Sequence, residues 1–170
     1  MSQTNTSPEK IDAEVKAIEE KSNFVPTKKS TSYRPSFEEI YTELAAIFAL
    51  RSTCSRAKVG TVISTTDYRR VLACGYNGNA SGLPNCCDAP EESGKCGCLH
   101  SEENAVINCQ EPRTTDKYVF VTLSPCVACA KRIINLGGVK RVYYGKPYRD
   151  LTGIELLKKV GIEAVHFQRT

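Results

Sequence analysis

The pattern of apolar and polar positions divides the chain into a polar N-terminal segment and one folded domain. Residues 1–35 are rich in Ser, Thr, Pro, Lys and Glu and contain few large apolar groups, so they cannot bury enough surface to offset the entropy of ordering. We therefore predict a mobile tail over residues 1–35 and a domain over residues 36–170. Within the tail, Ile11, Val15 and Ile18 have helical spacing, which predicts a short helix that docks on the domain or on a partner chain.

The domain begins with a helix and a hairpin. Residues 36–39 read Ser-Phe-Glu-Glu, which has the form of a capping box, and the apolar residues that follow fall on one face of a helix ending near Arg51. Two β-rich runs, residues 59–64 and 71–75, are separated by a polar turn and predict an antiparallel hairpin.

Helices and strands alternate in the second half of the chain. The predicted elements are helices over residues 100–108, 126–136 and 152–160, and strands over residues 118–123, 139–144 and 163–167. This alternation implies parallel strands with helices on both faces. We therefore predict an α/β fold, a three-layer α/β/α sandwich with a mixed five-stranded sheet. Residues 76–97 are rich in Gly, Asn, Pro and Cys and predict a long loop, and such loops are usually functional.

Composition narrows the class of protein. No apolar run of the 170 residues could span a bilayer, and the first ten residues lack the apolar core of a signal peptide, so we expect a cytoplasmic protein without membrane contact. Nine cysteines, an odd number, then indicate reduced thiols that bind metal or pack in the core. A net charge of +4 gives little reason to expect a nucleic-acid partner, but it is compatible with a small anionic substrate.

Two short motifs carry the chemistry. His100-Ser101-Glu102 has the form H-x-E, and residues 125–129 have the form P-C-x-x-C, which together make the zinc deaminase signature. Cys126 and Cys129 lie on one face at a helix start, where the helix N-terminus stabilises thiolates. His100 begins another predicted helix, so two helix N-termini can converge on one zinc ion and leave its fourth position open.

Glu102 lies close to this predicted site without being a ligand. It can take a proton from a water molecule and pass it to a ring nitrogen and a departing amine. The alternative interpretation makes the two cysteines core thiols, His100 a core histidine and Glu102 an exposed helical charge. Both halves of the motif stand at helix starts, which argues against that interpretation.

These residues, together with Val59-Gly60, residues 75–78 and Tyr148, resemble the deoxycytidylate (dCMP) deaminase family of the cytidine deaminase superfamily. The resemblance extends from about Ser36 onward and implies a cytidine deaminase-like fold, a zinc cofactor and hydrolysis of dCMP to dUMP. It further implies roles for four substrate-binding residues. Asn77 would bind the sugar hydroxyl, Tyr148 would lie near the phosphate, and the backbone around Ser101 and Ser124 would contact the pyrimidine edge.

The chain departs from the family pattern at two places. The family usually has Ala where this chain has Ser101, and Gly137-Gly138 resembles a one-residue insertion before a strand. Near the family motifs, Arg56, Lys58 and Arg149 are candidates to hold the 5′-phosphate through charge-assisted hydrogen bonds. The alternative is that these three are solvated surface charges.

A second group of cysteines predicts a structural zinc site. Four thiolates suit a closed coordination sphere, and the candidate ligands are Cys54, Cys86 or Cys87, Cys96 and Cys98. Some family members carry a second zinc, with Cys54 and Cys86 at matching positions and Cys98 aligned with another ligand. The alternative is buried or free thiols. Cys74 and Cys109 are predicted to be packing residues.

Two other functions stay open at this point. One is deamination of another base, such as a tRNA adenosine, guanine or a nucleoside, although the chain lacks Trp and a basic footprint. The other is a catalytically silent zinc-binding scaffold, against which the presence of Glu102 argues. The resemblance also implies a homo-oligomer, commonly a hexamer, and dCTP and dTTP as candidate effectors acting through the loop at residues 75–82.

Overall fold

The computed structural model describes residues 33–88 and 96–167, and the predicted tail helix lies outside these residues. The described part of the domain contains four helices and five strands. In chain order they are α1 (Phe37–Ala49), β1 (Gly60–Thr65), β2 (Val71–Tyr76), α2 (Ser101–Asn108), β3 (Lys117–Leu123), α3 (Val127–Leu136), β4 (Val139–Lys146), α4 (Thr152–Lys159) and β5 (Glu163–His166). None of these helices is long and apolar enough to cross a membrane.

The strands form one mixed sheet in the order β2-β1-β3-β4-β5. β1 pairs antiparallel with both β2 and β3, whereas β3, β4 and β5 are parallel. The predicted hairpin and the mixed five-stranded sheet are thus confirmed. Because β3 and β4 are parallel neighbours, the loops that leave their carboxyl ends lie side by side, which is where ligands bind in open α/β sheets.

One face of the sheet is covered by α1. The predicted capping box is present, since the Ser36 side chain accepts from the Glu39 backbone N–H at 3.2 Å and the Glu39 carboxylate accepts from the Ser36 N–H at 2.8 Å. The core on this side is a mainly aromatic cluster, composed of Tyr41, Ala45, Val62, Phe120 and Tyr143.

The other face carries α2, α3 and α4, which completes the predicted three layers. Its core is aliphatic and includes Ile63, Val119, Val121, Ile133 and Leu157. α2 can lie directly against β2 because Gly75 has no side chain. A Cβ at Gly75 would come within 2.3 Å of the Ser101 carbonyl oxygen and 2.5 Å of the Ala105 nitrogen. This close contact sets the position of the helix that carries the H-x-E motif.

Candidate active site

The three predicted metal ligands meet where α2 and α3 begin. His100 is the N-cap residue of α2, Cys126 is the N-cap residue of α3, and Cys129 lies in the first turn of α3. The His100 Nδ1 atom is 3.3 Å from the Cys129 Sγ atom and 3.6 Å from the Cys126 Sγ atom. Two helix N-termini therefore bring one imidazole and two thiols together, as the sequence predicts.

The spacing of these three atoms fits a tetrahedral zinc ion. Zn–S bonds of about 2.3 Å and Zn–N bonds of about 2.0–2.1 Å at tetrahedral angles place sulfur and nitrogen about 3.6 Å apart. The two observed distances from His100 Nδ1, 3.3 and 3.6 Å, are close to that value. Three protein ligands leave the fourth position for water or substrate, which is the catalytic arrangement of zinc sites.

The electrostatics of the cluster also favour metal binding. Hydrogen bonds from Cys129 and then from His100 lower the pKa of the Cys126 thiol to about 3. The hydrogen bond to Cys126 in turn raises the pKa of His100. The hydrogen bond between the two cysteines raises the pKa of the Cys129 thiol, so Cys126 is the thiolate of the pair at neutral pH, and metal ligation requires thiolate sulfur.

Glu102 is the buried acid of the site. It lies in the first turn of α2, is only 4% exposed, and lines the same cavity as His100 and Cys126. Burial raises the pKa of its carboxyl group. A carboxyl group with a raised pKa holds a proton more readily at neutral pH, as a general acid/base must.

The site opens into a cavity of about 380 Å³. Its volume is in the range of small-molecule sites. One wall is formed by the end of β3 and by the loops that follow β3 and β4, as expected for ligand sites in open sheets. The residues that line it are Cys54, Arg56, Ala57, Val59, Asn77, Cys96, Cys98, His100, Ser101, Glu102, Leu123, Ser124, Cys126, Pro147, Tyr148 and Arg149.

All four predicted substrate-binding residues line this cavity. Asn77 is 7% exposed, and its side chain is already engaged with the backbone of the neighbouring segment. Its Nδ2 donates to the Ala57 carbonyl and its Oδ1 accepts from the Val59 N–H, both at 2.7 Å. Asn77 therefore shapes the cavity wall by fixing residues 57–59, and its contact with a sugar hydroxyl stays a prediction.

Ser124 connects the two loops of the opposite wall. Its hydroxyl accepts a hydrogen bond of 2.7 Å from the Tyr148 N–H, and its own N–H donates to the Lys146 carbonyl at 2.8 Å. These bonds tie the loop after β3 to the loop after β4. The position of Tyr148 at the cavity thus depends on a side chain 24 residues earlier in the chain.

The three basic residues that are candidates to hold the 5′-phosphate do not all lie at the same cavity. Arg56 and Arg149 line the cavity, and the Arg149 guanidinium lies 5.6 Å from the centre of the Tyr148 ring. Lys58 does not line it. Instead, Lys58 borders an adjoining cavity of about 290 Å³ together with Lys146.

A second group of thiols lies next to the first. The sulfur atoms of Cys54, Cys87, Cys96 and Cys98 all lie within 4.8 Å of one another. Cys87 is 3.7 Å from Cys54 and 3.5 Å from Cys98. Tetrahedral zinc with Zn–S bonds of about 2.3 Å requires sulfur atoms about 3.8 Å apart, so the group fits a four-thiolate zinc ion.

The structure corrects the choice of Cys86 for this group. Cys86 is exposed and its backbone N–H closes a turn onto the Pro84 carbonyl at 2.8 Å, whereas Cys87 joins the other three thiols. Cys74 and Cys109 pack against the two cores, as predicted.

Backbone contacts hold the second thiol group beside the first. The Asp88 N–H donates to the Cys96 carbonyl at 3.0 Å, which ties the residue after Cys87 to Cys96. Gly78 and Leu99 exchange hydrogen bonds of 3.1 and 2.8 Å. These bonds tie Leu99, which lies between Cys98 and His100, to the loop that carries Asn77.

Sequence reasoning missed Thr61 as a site residue. Its hydroxyl lies 2.8 Å from that of Ser101, which donates to Glu102 at 3.0 Å. In the sequence, Thr61 is an ordinary β-forming residue within a strand, and nothing nearby marks it. The contact spans 40 residues and exists only because α2 packs closely on the sheet.

Comparison with known proteins places these features in a family. Residues 35–146 match the family model described as the cytidine and deoxycytidylate deaminase zinc-binding region. The deoxycytidylate deaminase of Schizosaccharomyces pombe is 33% identical over 144 residues, which cover 77% of this chain and 44% of that protein. The deoxycytidylate deaminase of Mycobacterium phage D29 is 34% identical over 127 residues, 66% of this chain and 97% of the phage protein.

Solved structures agree with these sequence matches. The crystal structure of dCMP deaminase from cyanophage S-TIM5 in complex with dCMP and dUMP matches with a TM-score of 0.71 and 35% identity, covering 79% of this chain and 99% of that one.

The match to the Saccharomyces cerevisiae deoxycytidylate deaminase covers 46% of that protein. The chain therefore spans less than half the length of the two yeast relatives.

Proposed function

Because this chain belongs to the cytidine and deoxycytidylate deaminase family, we propose that it hydrolyses the 4-amino group of dCMP and releases dUMP and ammonia. The observation that carries the proposal is the position of Glu102. This buried carboxyl group lies in one cavity with His100 and Cys126, and Cys129 completes the set of metal ligands.

The chain's own groups supply ligation and proton transfer. His100, Cys126 and Cys129 would hold the zinc ion. When bound there, zinc supplies the Lewis acidity that makes water a usable nucleophile at neutral pH. The Glu102 carboxylate takes a proton from the attacking water and delivers it to ring nitrogen N3. The water oxygen bonds to C4. Glu102 then takes the proton of this new C4 hydroxyl group and passes it to the amino group, so that the C4–N bond breaks, the C4=O bond of dUMP forms and ammonia leaves.

The named relatives support dCMP as the substrate. The S. pombe and phage D29 proteins are deoxycytidylate deaminases, and the cyanophage enzyme was crystallised with dCMP and dUMP. The cyanophage and phage D29 proteins are matched over nearly their whole length. We therefore assign the same substrate class to this chain.

Recognition of the 5′-phosphate is assigned to Arg56 and Arg149. Both line the cavity beside Tyr148, whereas Lys58 does not. Charge-assisted hydrogen bonds contribute about 1.5 to 3 kcal/mol each, so two of them would favour dCMP over deoxycytidine by about two or more orders of magnitude in kcat/KM. Arg56→Ala and Arg149→Ala would then lower kcat/KM for dCMP without lowering it for deoxycytidine. Lys58→Ala is the matched control, for which no change in this preference is expected.

We further assign a structural zinc ion to the second thiol group. Four thiolates would close its coordination sphere and leave no position for water, so this ion would take no part in the chemistry. Its ligands would be Cys54, which precedes β1, and Cys87, Cys96 and Cys98, which lie between β2 and α2. The expected content is two zinc ions per chain, and a content of one would contradict this assignment.

A panel of substrates tests the proposed function. Ammonia release is measured with dCMP, deoxycytidine, CMP, guanine and a tRNA anticodon stem, and dCMP is expected to react with the highest kcat/KM. Turnover of the tRNA or of guanine alone would instead identify a deaminase of another base. Absence of turnover on every compound by the zinc-loaded protein would favour a silent scaffold.

Replacement of one carboxylate tests the mechanism. Glu102→Gln keeps the side-chain shape and the metal ligands but removes the proton carrier, so we expect unchanged zinc content and kcat lower by about 10²- to 10⁴-fold. The adjacent Glu103 forms a surface ion pair with Arg132 at 2.8 Å and provides the matched control. Glu103→Gln is expected to retain activity. Full activity of Glu102→Gln would contradict the assigned role.

A further inference from the structure

A buried chain of three polar side chains leads from β1 to the Glu102 carboxylate. The Ser101 hydroxyl donates to Glu102 Oε2 at 3.0 Å, and Thr61 Oγ1 lies 2.8 Å from Ser101 Oγ. Thr61 and Ser101 are 0% exposed, and Glu102 is 4% exposed. Buried hydrogen bonds of this kind are stronger than those in water because the surrounding dielectric is low.

The hydrogens of this chain have one consistent arrangement when Glu102 is ionised. A carboxylate accepts hydrogen bonds and donates none, so the single hydroxyl hydrogen of Ser101 is committed to Glu102. The hydrogen between the two hydroxyl groups must then come from Thr61. Thr61 is the donor to Ser101, and Ser101 is the donor to Glu102.

Thr61 is a rigid anchor for this chain. It lies within β1, the second strand of the sheet, and is paired with Gly75 on β2 and with Val121 on β3. Ser101 is also held, because α2 lies in close contact with Gly75. The donor to Glu102 is therefore fixed at both ends by the sheet and the helix.

We propose that Thr61 and Ser101 are positioning residues that hold one oxygen of the Glu102 carboxylate and leave its remaining acceptor capacity for proton transfer. The inference rests on the proposed function, because it assumes that Glu102 transfers the protons. A proton carrier must stay within hydrogen-bond reach of its substrate, and a fixed rotamer supplies that geometry.

A double-mutant cycle tests whether Thr61 acts through Ser101. Ser101→Ala removes the donor to Glu102, and Thr61→Val removes the hydroxyl while keeping the shape of the side chain. We expect Ser101→Ala to lower kcat on dCMP by about tenfold or more with KM within about twofold, since one hydrogen bond to a charged group is lost. Thr61→Val should lower kcat in the wild-type background and have no further effect in the Ser101→Ala background.

A matched control separates this role from the general effect of removing a buried hydroxyl. Thr42 Oγ1 is buried and has no hydrogen-bond partner in the described part of the chain. Thr42→Val makes the same chemical change on α1 and is expected to leave kcat unchanged. Zinc content and melting temperature are measured for every variant, so that a loss of metal or of fold is recognised. Unchanged kcat in Ser101→Ala, or effects of the two changes that multiply, would overturn the proposal.

A crystal structure of zinc-loaded Ser101→Ala provides a readout that does not depend on turnover. We expect the Glu102 carboxylate to occupy more than one conformer, or one rotated from its wild-type position. A single unchanged conformer would overturn the positioning role even if the substrate were not dCMP. Failure of wild-type protein to deaminate dCMP would instead count against the proposed function alone.

Discussion

The backbone N–H of Tyr148 donates a hydrogen bond of 2.7 Å to the side-chain oxygen of Ser124. This bond joins the loops that leave β3 and β4, and both residues line the proposed substrate cavity. Ser124 is only 3% exposed, so water cannot easily replace its hydroxyl as the acceptor. The position of the aromatic ring at the cavity is therefore set by a side chain in the loop that follows β3.

Ser124→Ala is expected to weaken substrate binding more than it slows the chemistry. The Tyr148 N–H would lose its partner at a cost of about 1 kcal/mol or more, which corresponds to a rise in KM of about fivefold or more. Steady-state kinetics on dCMP measures KM and kcat separately. Ser64→Ala is the control. It also removes a buried hydroxyl that bonds one backbone group, but Ser64 lies near the end of β1 and does not line the cavity. An equal rise in KM in both variants would contradict the prediction.

Replacement of the buried Lys117 is expected to lower the free energy of unfolding. It is 0% exposed, and its ammonium group donates to the carbonyls of Pro112 and Thr115 at 2.7 Å and of Gly137 at 3.3 Å. Burial lowers the pKa of Lys117, but the three acceptors hold its hydrogens. Lys117→Met would remove three hydrogen bonds to partly buried carbonyls, and we expect a loss of about 2 to 4 kcal/mol in the free energy of unfolding.

Urea denaturation of the zinc-loaded protein measures this loss. Lys140→Met is the matched control, since Lys140 forms an exposed ion pair with Asp116 at 3.0 Å, and such pairs contribute about 0–1 kcal/mol. Equal stability of the two variants would show that the Lys117 hydrogen bonds contribute nothing beyond a surface charge.

The sequence predicts well what depends on local pattern. The capping box at Ser36, the hairpin and the alternating elements are read from neighbouring residues, and the structure contains all of them. The proposed ligands His100, Cys126 and Cys129 could also be predicted from the sequence, because each stands at the N-terminus of a predicted helix. α2 and α3 follow β2 and β3, which run in the same direction because both are antiparallel to β1. The two helices therefore begin at the same edge of the sheet.

What the sequence could not predict depends on contacts between distant side chains. Cys86 and Cys87 are equivalent in the sequence, and only the course of the loop decides which one faces Cys54 and Cys98. Thr61 gave no signal, because its role arises from a contact with Ser101 across the junction of sheet and helix. Lys58 and Arg56 are two residues apart, yet only Arg56 lines the cavity.

Gly75→Ala is expected to displace α2 and weaken zinc binding. The new methyl group would come within 2.3 Å of the Ser101 carbonyl and 2.5 Å of the Ala105 nitrogen, both backbone atoms that cannot rotate away. The helix would have to move, and His100 at its start would leave its position beside Cys129. Titration with a chelator measures the expected fall in zinc affinity.

Gly161→Ala controls for a general loss of stability. Gly161 has φ +80°, and a Cβ there would meet nothing within 4 Å, so the substitution strains the backbone without touching α2. We expect reduced stability with unchanged zinc affinity. A fall in zinc affinity of similar size in both variants would show that global destabilisation, and not displacement of α2, is the cause.

The adjacent pair Cys86 and Cys87 offers the sharpest test of the second metal site. Cys87→Ser removes a sulfur that lies 3.5 and 3.7 Å from two other thiols, so one zinc ion per chain should be lost or bound much more weakly. Cys86→Ser changes an exposed neighbour and should keep two zinc ions. Cys129→Ser should lose the other ion, that of the catalytic site, while the four-thiolate site stays filled. Elemental analysis of the three purified variants, after dialysis against a weak chelator, measures each content. Equal zinc in Cys86→Ser and Cys87→Ser would contradict the assignment of Cys87, whereas loss of both ions in Cys87→Ser would show that the two sites do not fill independently.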